Sequence, residues 1–282
     1  MITNLSITSK FKAIPYLPPS QLFKTHKGNF VFSTEKPNVI IGPNGAGKSA
    51  LMKALALHTL SYYIGKSTFD SNFLKSTESE EYWTKTGNWS NEYTYLEGFD
   101  SNSDFGPALY YRPGHIPGND DSITAAMMCG YFEQAKAYGQ LVDQKSSGQQ
   151  TKALLALILD YLSGKKTELG FDYVHWGFGR EPVDLNKASW NGPWDYKAEI
   201  FKKLYGQPNA NAIPLILMDE PEQSLDLKAE TLLWNQIGSA DCSKVQIIVA
   251  SHSVHPFLET DKYNIIEAVP GYLQELQQLL PR

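Results

Sequence analysis

Short, continuous apolar runs recur along the 282-residue chain, and each predicts a strand that is buried on both faces. These runs cover residues 39–41, 108–111, 214–218 and 245–250. The N-terminal 38 residues differ, because their strand-like runs at 5–7 and 30–32 are separated by proline-rich turns. We therefore expect a mostly parallel central sheet, preceded by an antiparallel β region.

Helical spacing of apolar residues lies between these runs, at 50–57, 123–142, 149–162 and 273–280. Residues 66–106 are rich in polar residues and predict loops, with an exposed strand or two such as 92–96. Strands that alternate with helices are typical of the α/β class. The pattern predicts an α/β fold with a small helical lobe.

The chain is interpreted as a single domain, 1–282, with two subregions. Residues 112–162 form a helical subregion, and residues 163–212 form an aromatic-rich insertion. The insertion contains Trp176, Trp190 and Trp194. It is either a packed side lobe or a face that binds a partner, since tryptophan is a common interface anchor.

A glycine-rich segment follows the first buried run and precedes a helix. Residues 42–49 read Gly-Pro-Asn-Gly-Ala-Gly-Lys-Ser and match the phosphate-loop pattern at every fixed position. In such a loop the backbone N–H groups and the helix N-terminus surround phosphate oxygens. Lys48 is expected to reach the β- and γ-phosphates, and the Ser49 hydroxyl to ligate Mg²⁺.

The apolar run at 214–218 ends in Asp219-Glu220, so a buried strand is expected to carry two carboxylates to the same edge of the sheet. Asp219 is the predicted second metal ligand. Glu220 is the predicted general base, because a carboxylate there can accept the proton of an attacking water. The run at 245–250 similarly leads to His252, which is expected to lie beside the γ-phosphate. His255 is interpreted as a structural residue.

Ser146-Ser147-Gly148-Gln149 opens the helix predicted at 149–162. A serine and a glycine at a helix start fit an ordinary N-cap, and the same geometry also binds an anion. The residues alone leave both possibilities open.

Together, these motifs resemble those of the ATP-binding-cassette (ABC) ATPases, a family of P-loop NTPases. Residues 42–49 resemble the Walker A motif, 146–149 the signature, 215–220 Walker B and 224–226 the D-loop, and His252 resembles the switch histidine. The resemblance implies a head-to-tail homodimer with ATP and Mg²⁺ between the protomers. In each site, one chain would supply Walker A, and the other would supply Ser146 and Gly148. The implied nucleotide-binding residues of Walker A are Asn44, Gly45, Ala46, Gly47, Lys48, Ser49 and Ala50.

Several positions depart from the transporter members of that family. Lys145 stands where a leucine normally opens the signature, and either Arg112 or His115 takes the place of the expected Q-loop glutamine. The short helical subregion and the acidic Asp-Glu-Pro-Glu sequence look most like soluble ABC ATPases. These include RecF-like proteins, chromosome-maintenance proteins and the AAA family ATPases of phage-defence systems.

Charge and composition bear on the partners. The net charge is −5, and the arginines are Arg112, Arg180 and Arg282, which argues against a dominant nucleic-acid surface. Isolated Cys129 and Cys242, with no apolar stretch of membrane-spanning length, predict a cytoplasmic protein. The expected output is control of a soluble complex, in DNA metabolism or antiviral defence, through a separate nuclease or toxin. Two alternatives stay open: a transporter cassette, and an ATP-held scaffold that sequesters such an effector.

Overall fold

The computed structural model of the protein describes residues 1–11, 14–59, 62–65, 98–103, 108–113, 144–163 and 212–279. The strands, in chain order, are β1 Ile2–Ile7, β2 Asn29–Val31, β3 Asn38–Ile41, β4 Tyr62–Gly65, β5 Phe99–Ser103, β6 Ala108–Arg112, β7 Leu215–Asp219, β8 Gln246–Ala250 and β9 Asn264–Glu267. The helices are α1 Gln21–His26, α2 Lys48–His58, α3 Ser147–Leu162, α4 Leu227–Gly238, α5 His255–Leu258 and α6 Tyr272–Leu279. A short 3₁₀ helix spans Thr260–Lys262.

Two sheets form the framework. The larger has six strands in the order β4-β6-β7-β8-β3-β9, and all neighbouring pairs are parallel. The smaller has three antiparallel strands in the order β2-β1-β5. The protein is therefore an α/β protein with a parallel central sheet and an N-terminal antiparallel region, as the sequence predicts.

The central strands β3, β7 and β8 are buried along their whole length, which explains their continuous apolar runs. Successive side chains point to opposite faces. On one face, Ile40, Leu217 and Ile248 share a core cluster with residues of α2 and the antiparallel sheet. On the other face, the apolar residues pack with α3 and α4, and these residues are Val39, Ile41, Ile216, Met218, Ile247 and Val249. The parallel sheet is thus the middle layer.

Gln246 joins the two sheets by imitating a strand pair. Its buried side chain accepts a hydrogen bond from Ile2 N (2.7 Å) and donates one to Ile2 O (2.7 Å). Both polar groups of the amide are satisfied in this way, so its burial carries little penalty.

The four apolar runs are confirmed as strands, with ends that shift by about one residue. Within 66–106, where loops with an exposed strand or two are predicted, β5 is a strand that pairs along β1, with Asp100 and Asn102 exposed but Phe99 buried. The apolar pattern also does not predict strands β4 and β9. Residues 92–96, 123–142 and nearly all of the insertion at 163–212 lie outside the described residues. None of the described helices is long and apolar enough to cross a membrane.

Candidate active site

The carboxyl ends of three adjacent strands meet at one edge of the parallel sheet. Ala250 of β8 is in register with Ile40 of β3 on one side and Asp219 of β7 on the other. The segments that follow these strands are the phosphate loop, the acidic turn and the His252 loop. In open parallel sheets this edge is where ligands bind.

The phosphate loop is held by backbone contacts on the side of α1. Leu22 N donates to Ala46 O (2.9 Å), and a Cβ added to Gly47 would lie only 2.5 Å from the Ser20 side chain. Gly47 has a φ of 105°, which favours glycine. These contacts fix the loop against the start of α1. Within it Asn44 and Gly45 are exposed, whereas Ala46 and Ala50 belong to the core.

Lys48 is the first residue of α2 and is almost completely buried. Its Nζ donates to Gly42 O (2.9 Å) and Pro43 O (3.2 Å), and lies 2.9 Å from His252 Nε2. An ammonium group has three donors and no acceptor, so His252 Nε2 is the acceptor of the third bond. Burial lowers the pKa of Lys48, and the negative charge of Glu220 opposes that shift most strongly.

Asp219 is fully buried at the end of β7 and is held on both carboxylate oxygens. Ser49 Oγ donates to Oδ1 (2.8 Å), Tyr110 OH donates to Oδ2 (2.9 Å), and Arg112 Nε lies 3.7 Å from Oδ2. Burial raises the pKa of Asp219, while Arg112 and the two hydroxyl donors act in the opposite direction. The sequence motifs bring Asp219 and Ser49 together but do not reveal Tyr110.

These residues suit a magnesium ion. A hydroxyl and a carboxylate, Ser49 Oγ and Asp219 Oδ1, are already in contact and are both hard oxygen ligands. Within the described residues, no group of three or more His, Cys, Asp or Glu side chains forms a cage for a metal. Mg²⁺ does not require such a cage, because it commonly binds through one or two protein oxygens, phosphates and water.

Glu220 and His252 lie on neighbouring loops, with Glu220 Oε1 3.5 Å from His252 Nε2. Glu220 has a positive φ of 53°, and its N–H donates to Ala250 O (2.8 Å). Both side chains are about one-third exposed, so a ligand can reach them. Burial, and secondly the charge of Lys48, lower the pKa of His252, which favours the neutral imidazole.

Glu222 is not singled out by the sequence motifs, although it belongs to the Asp-Glu-Pro-Glu run. Its Oε1 accepts hydrogen bonds from Ser251 Oγ (2.7 Å) and from the backbone N–H of His252 (2.8 Å). Its Oε2 is buried and has no hydrogen-bond partner among the described residues. Glu222 therefore connects the acidic turn to the His252 loop.

The serine-glycine segment forms a capping box at the start of α3. Ser146 N donates to Gln149 Oε1 (3.0 Å), and Gln149 N donates to Ser146 Oγ (3.4 Å). A Cβ on Gly148 would lie 3.0 Å from Ser224 O, and Lys152 forms an ion pair with Asp226 (2.5 Å). In the described part of the chain these contacts tie the segment to residues 224–226. The N-cap geometry is present and Ser146 is exposed, while anion binding by the same residues stays a prediction.

His255 begins the short helix α5, where its ring lies 3.4 Å from Thr231 Oγ1, in keeping with the structural role expected of it. Of the two residues considered in place of a Q-loop glutamine, Arg112 lies beside Asp219. His115 lies outside the described residues.

No protein-family model matches the chain, and no curated protein matches it either. Its function must therefore be inferred from the motifs and from the geometry that joins them.

Proposed function

We propose that this chain is an ABC-type P-loop ATPase that binds Mg-ATP and hydrolyses its γ-phosphate bond. One observation carries the proposal: Lys48, Ser49, Asp219, Glu220 and His252 come from three segments at one edge of the sheet but form a continuous chain of contacts. A strand, a phosphate loop and a helix with a lysine and a hydroxyl at its start constitute a triphosphate site. The buried carboxylate on a nearby strand supports its assignment to nucleotide hydrolysis.

The residues divide the reaction between them. Lys48 binds the β- and γ-phosphate oxygens, and the loop N–H groups surround them. Ser49 and Asp219 would hold Mg²⁺, which when bound supplies charge neutralisation across the phosphates. Glu220 accepts a proton from the attacking water. The water oxygen then bonds to the γ-phosphorus, and the bond between that phosphorus and the departing ADP oxygen breaks. His252 orients the γ-phosphate by donating a hydrogen bond to it from a protonated ring nitrogen.

Head-to-tail dimerisation follows as part of the same proposal. Ser146 caps the exposed N-terminus of α3, a 16-residue helix whose positive end favours an anion. Its own chain already engages Gly148 with Ser224. Because the helix end is exposed, a second protomer could receive it at its γ-phosphate, with ATP between the two chains.

The variant Glu220→Gln tests the enzyme. We expect it to bind Mg-ATP as the parent does and to lose hydrolysis by on the order of 10²–10⁴, the usual contribution of a general base. Glu259→Gln, an exposed carboxylate paired with Lys262, is the matched control and should behave as the parent. Light scattering with ATP should find the Glu220→Gln protein as a dimer. Parental turnover in Glu220→Gln would show that Glu220 is not the base.

For the output of the cycle, we propose control of a separate effector, a nuclease or toxin, with DNA as a possible regulator. The acidic net charge of −5 favours an effector protein over DNA as the main contact. Purification of the tagged Glu220→Gln chain with its native partners tests this. A nuclease or toxin retained only with ATP supports the proposal, whereas retention of a membrane protein supports a transporter cassette.

A further inference from the structure

The proposed mechanism gives Glu222 no role, yet its carboxylate contacts the histidine loop directly. Glu222 as a whole is half-buried, but its carboxyl end is enclosed and burial raises its pKa. Enclosing a carboxyl group is costly unless its bonds repay the lost hydration. This location therefore requires an explanation beyond surface charge.

The bonds of Glu222 converge on one short segment. Oε1 accepts from both Ser251 Oγ and His252 N, so a single oxygen holds two consecutive residues. Ser251 Oγ in turn accepts from Ser253 N (2.8 Å), which continues the bonded chain along the loop. The backbone that carries His252 is thus held from the acidic turn.

The turn that carries Glu222 is itself fixed. Glu220 N donates to Ala250 O, and Gln223 N donates back to Glu220 O (3.0 Å). Glu220 has a positive φ, and this backbone geometry brings Glu222 back towards the end of β8. Consequently one hydrogen-bonded turn carries both Glu220 and, two residues later, Glu222, which bonds to the loop of His252.

We infer that Glu222 is a positioning residue, which fixes the His252 imidazole between Lys48 Nζ and Glu220 Oε1 by bonding to the backbone N–H of His252. In kinetic terms this inference rests on the proposed ATPase function. It adds a claim about the nucleotide-free chain: the ring geometry of His252 depends on Glu222. Misplacing such a group by about 1 Å can cost about a hundredfold in rate.

The kinetic test compares Glu222→Ala with Glu222→Gln. Glutamine keeps an acceptor oxygen for Ser251 and His252, whereas alanine removes it. We expect Glu222→Ala to lose turnover by on the order of 10²-fold, with the KM for ATP and the affinity for the β,γ-imido analogue changed less than about threefold. Glu222→Gln should recover at least a tenth of parental turnover. Equal losses in both variants, or a loss confined to KM, would overturn the inference.

Glu230→Ala is the matched control, since Glu230 accepts a bond from Ser253 Oγ (2.6 Å) in the same loop. If the effect comes specifically from holding His252, Glu230→Ala should keep turnover within about threefold of the parent. An equal loss in Glu230→Ala would mean that general loosening of the loop, and not Glu222, explains the result.

The second test does not depend on turnover. In nucleotide-free protein, nitrogen NMR of the histidine side chains should show His252 as a neutral ring with its proton on Nδ1, because Nε2 accepts from Lys48. The signal, identified with His252→Gln, should be retained in Glu230→Ala and lost or averaged between tautomers in Glu222→Ala. An unchanged His252 signal in folded Glu222→Ala would refute the inference. If this signal responds as expected while the parent chain hydrolyses no ATP, the proposed function fails and the positioning role stands.

Discussion

Lys48 Nζ and His252 Nε2 lie 2.9 Å apart, so the phosphate-loop lysine has a protein acceptor in the direction of the histidine loop. With the two loop carbonyls, this contact uses all three donors of the ammonium group. A triphosphate that binds Lys48 must therefore replace at least one of these acceptors. His252 is the one that sits on a separate loop, so its release would couple nucleotide entry to a change at Glu220.

The first prediction follows from that competition. His252→Ala removes one acceptor of Lys48, so ATP no longer displaces it, and we expect binding of the β,γ-imido analogue to tighten by up to about fivefold, the equivalent of one hydrogen bond. Turnover should fall, because the γ-phosphate loses its orienting group. Calorimetric titration and a phosphate-release assay measure the two effects. Weaker binding in His252→Ala would mean that the contact of His252 with the γ-phosphate outweighs its competition for Lys48.

The second prediction concerns Tyr110, whose hydroxyl donates to the buried carboxylate of Asp219 (2.9 Å). Tyr110→Phe leaves Oδ2 with one donor fewer, so we expect a loss of about 1.5–3 kcal/mol in the free energy of unfolding. The variant should also need more Mg²⁺ for half-maximal ATP hydrolysis, since the carboxylate is less firmly oriented. Urea titrations and a magnesium series measure both quantities.

Tyr111→Phe is the control for this experiment. Tyr111 is the next residue of the same strand and faces the opposite side of the sheet, where its hydroxyl makes a long contact with Thr151 O (3.4 Å). Removing this hydroxyl should lower the free energy of unfolding by less than about 1 kcal/mol and leave the magnesium dependence of ATP hydrolysis unchanged. Equal effects in the two variants would indicate that Asp219 does not depend on Tyr110.

The parts of this site that follow a local rule could be predicted from the sequence. A buried strand that ends in a polar residue places that residue at the sheet edge, so Lys48, Asp219 and His252 could be assigned to one region. Tyr110 and Glu222 could not be assigned in this way, because their partners are 109 and 30 residues distant in the chain. The sequence offered two signals: the hydroxyl of Tyr110 inside the apolar run at 108–111, and the second glutamate, Glu222, after Pro221.

The strands also divide into those that local sequence predicts and those that it does not. Strands β3, β7 and β8 are buried on both faces, and their apolar runs reveal them. Strand β5 has the sequence Phe-Asp-Ser-Asn-Ser, which resembles a loop, and it becomes a strand only because β1 offers backbone partners. Pairing between distant segments, and not local propensity, determines that element.

The third prediction compares two glycines of the phosphate loop. A Cβ at Gly45 would meet nothing within 4 Å, whereas a Cβ at Gly47 would press on Ser20 at 2.5 Å. Both have positive φ values, so Gly45→Ala should cost about 1–2 kcal/mol of stability through the backbone alone. Gly47→Ala should cost about 1 kcal/mol more, because Ser20 caps α1 and must move. Denaturant titration of both variants measures these two losses in the free energy of unfolding. A Gly45→Ala protein that is the less stable of the two would contradict this account.

The fourth prediction concerns His58, a buried side chain at the end of α2 that is bonded to Ser101 Oγ (2.8 Å) and packed on Phe99. Burial lowers the pKa of His58 from 6.5 to about 3. Between these values the unfolded chain binds a proton that the folded chain excludes. The free energy of unfolding is therefore at its full value above pH 6.5 and decreases as the pH falls towards 3.

At about 1.4 kcal/mol per pH unit, the loss from pH 6.5 to pH 5 is about 2 kcal/mol. The test is the free energy of unfolding of the parent and of His58→Gln, measured by urea titration from pH 8 to pH 5. Glutamine can still bond to Ser101 but does not titrate. The parent should therefore lose about 2 kcal/mol more than the variant over this range, because every other titrating group is common to both. Parallel pH profiles for the two proteins would show that His58 can take up a proton without opening the core between α2 and β5.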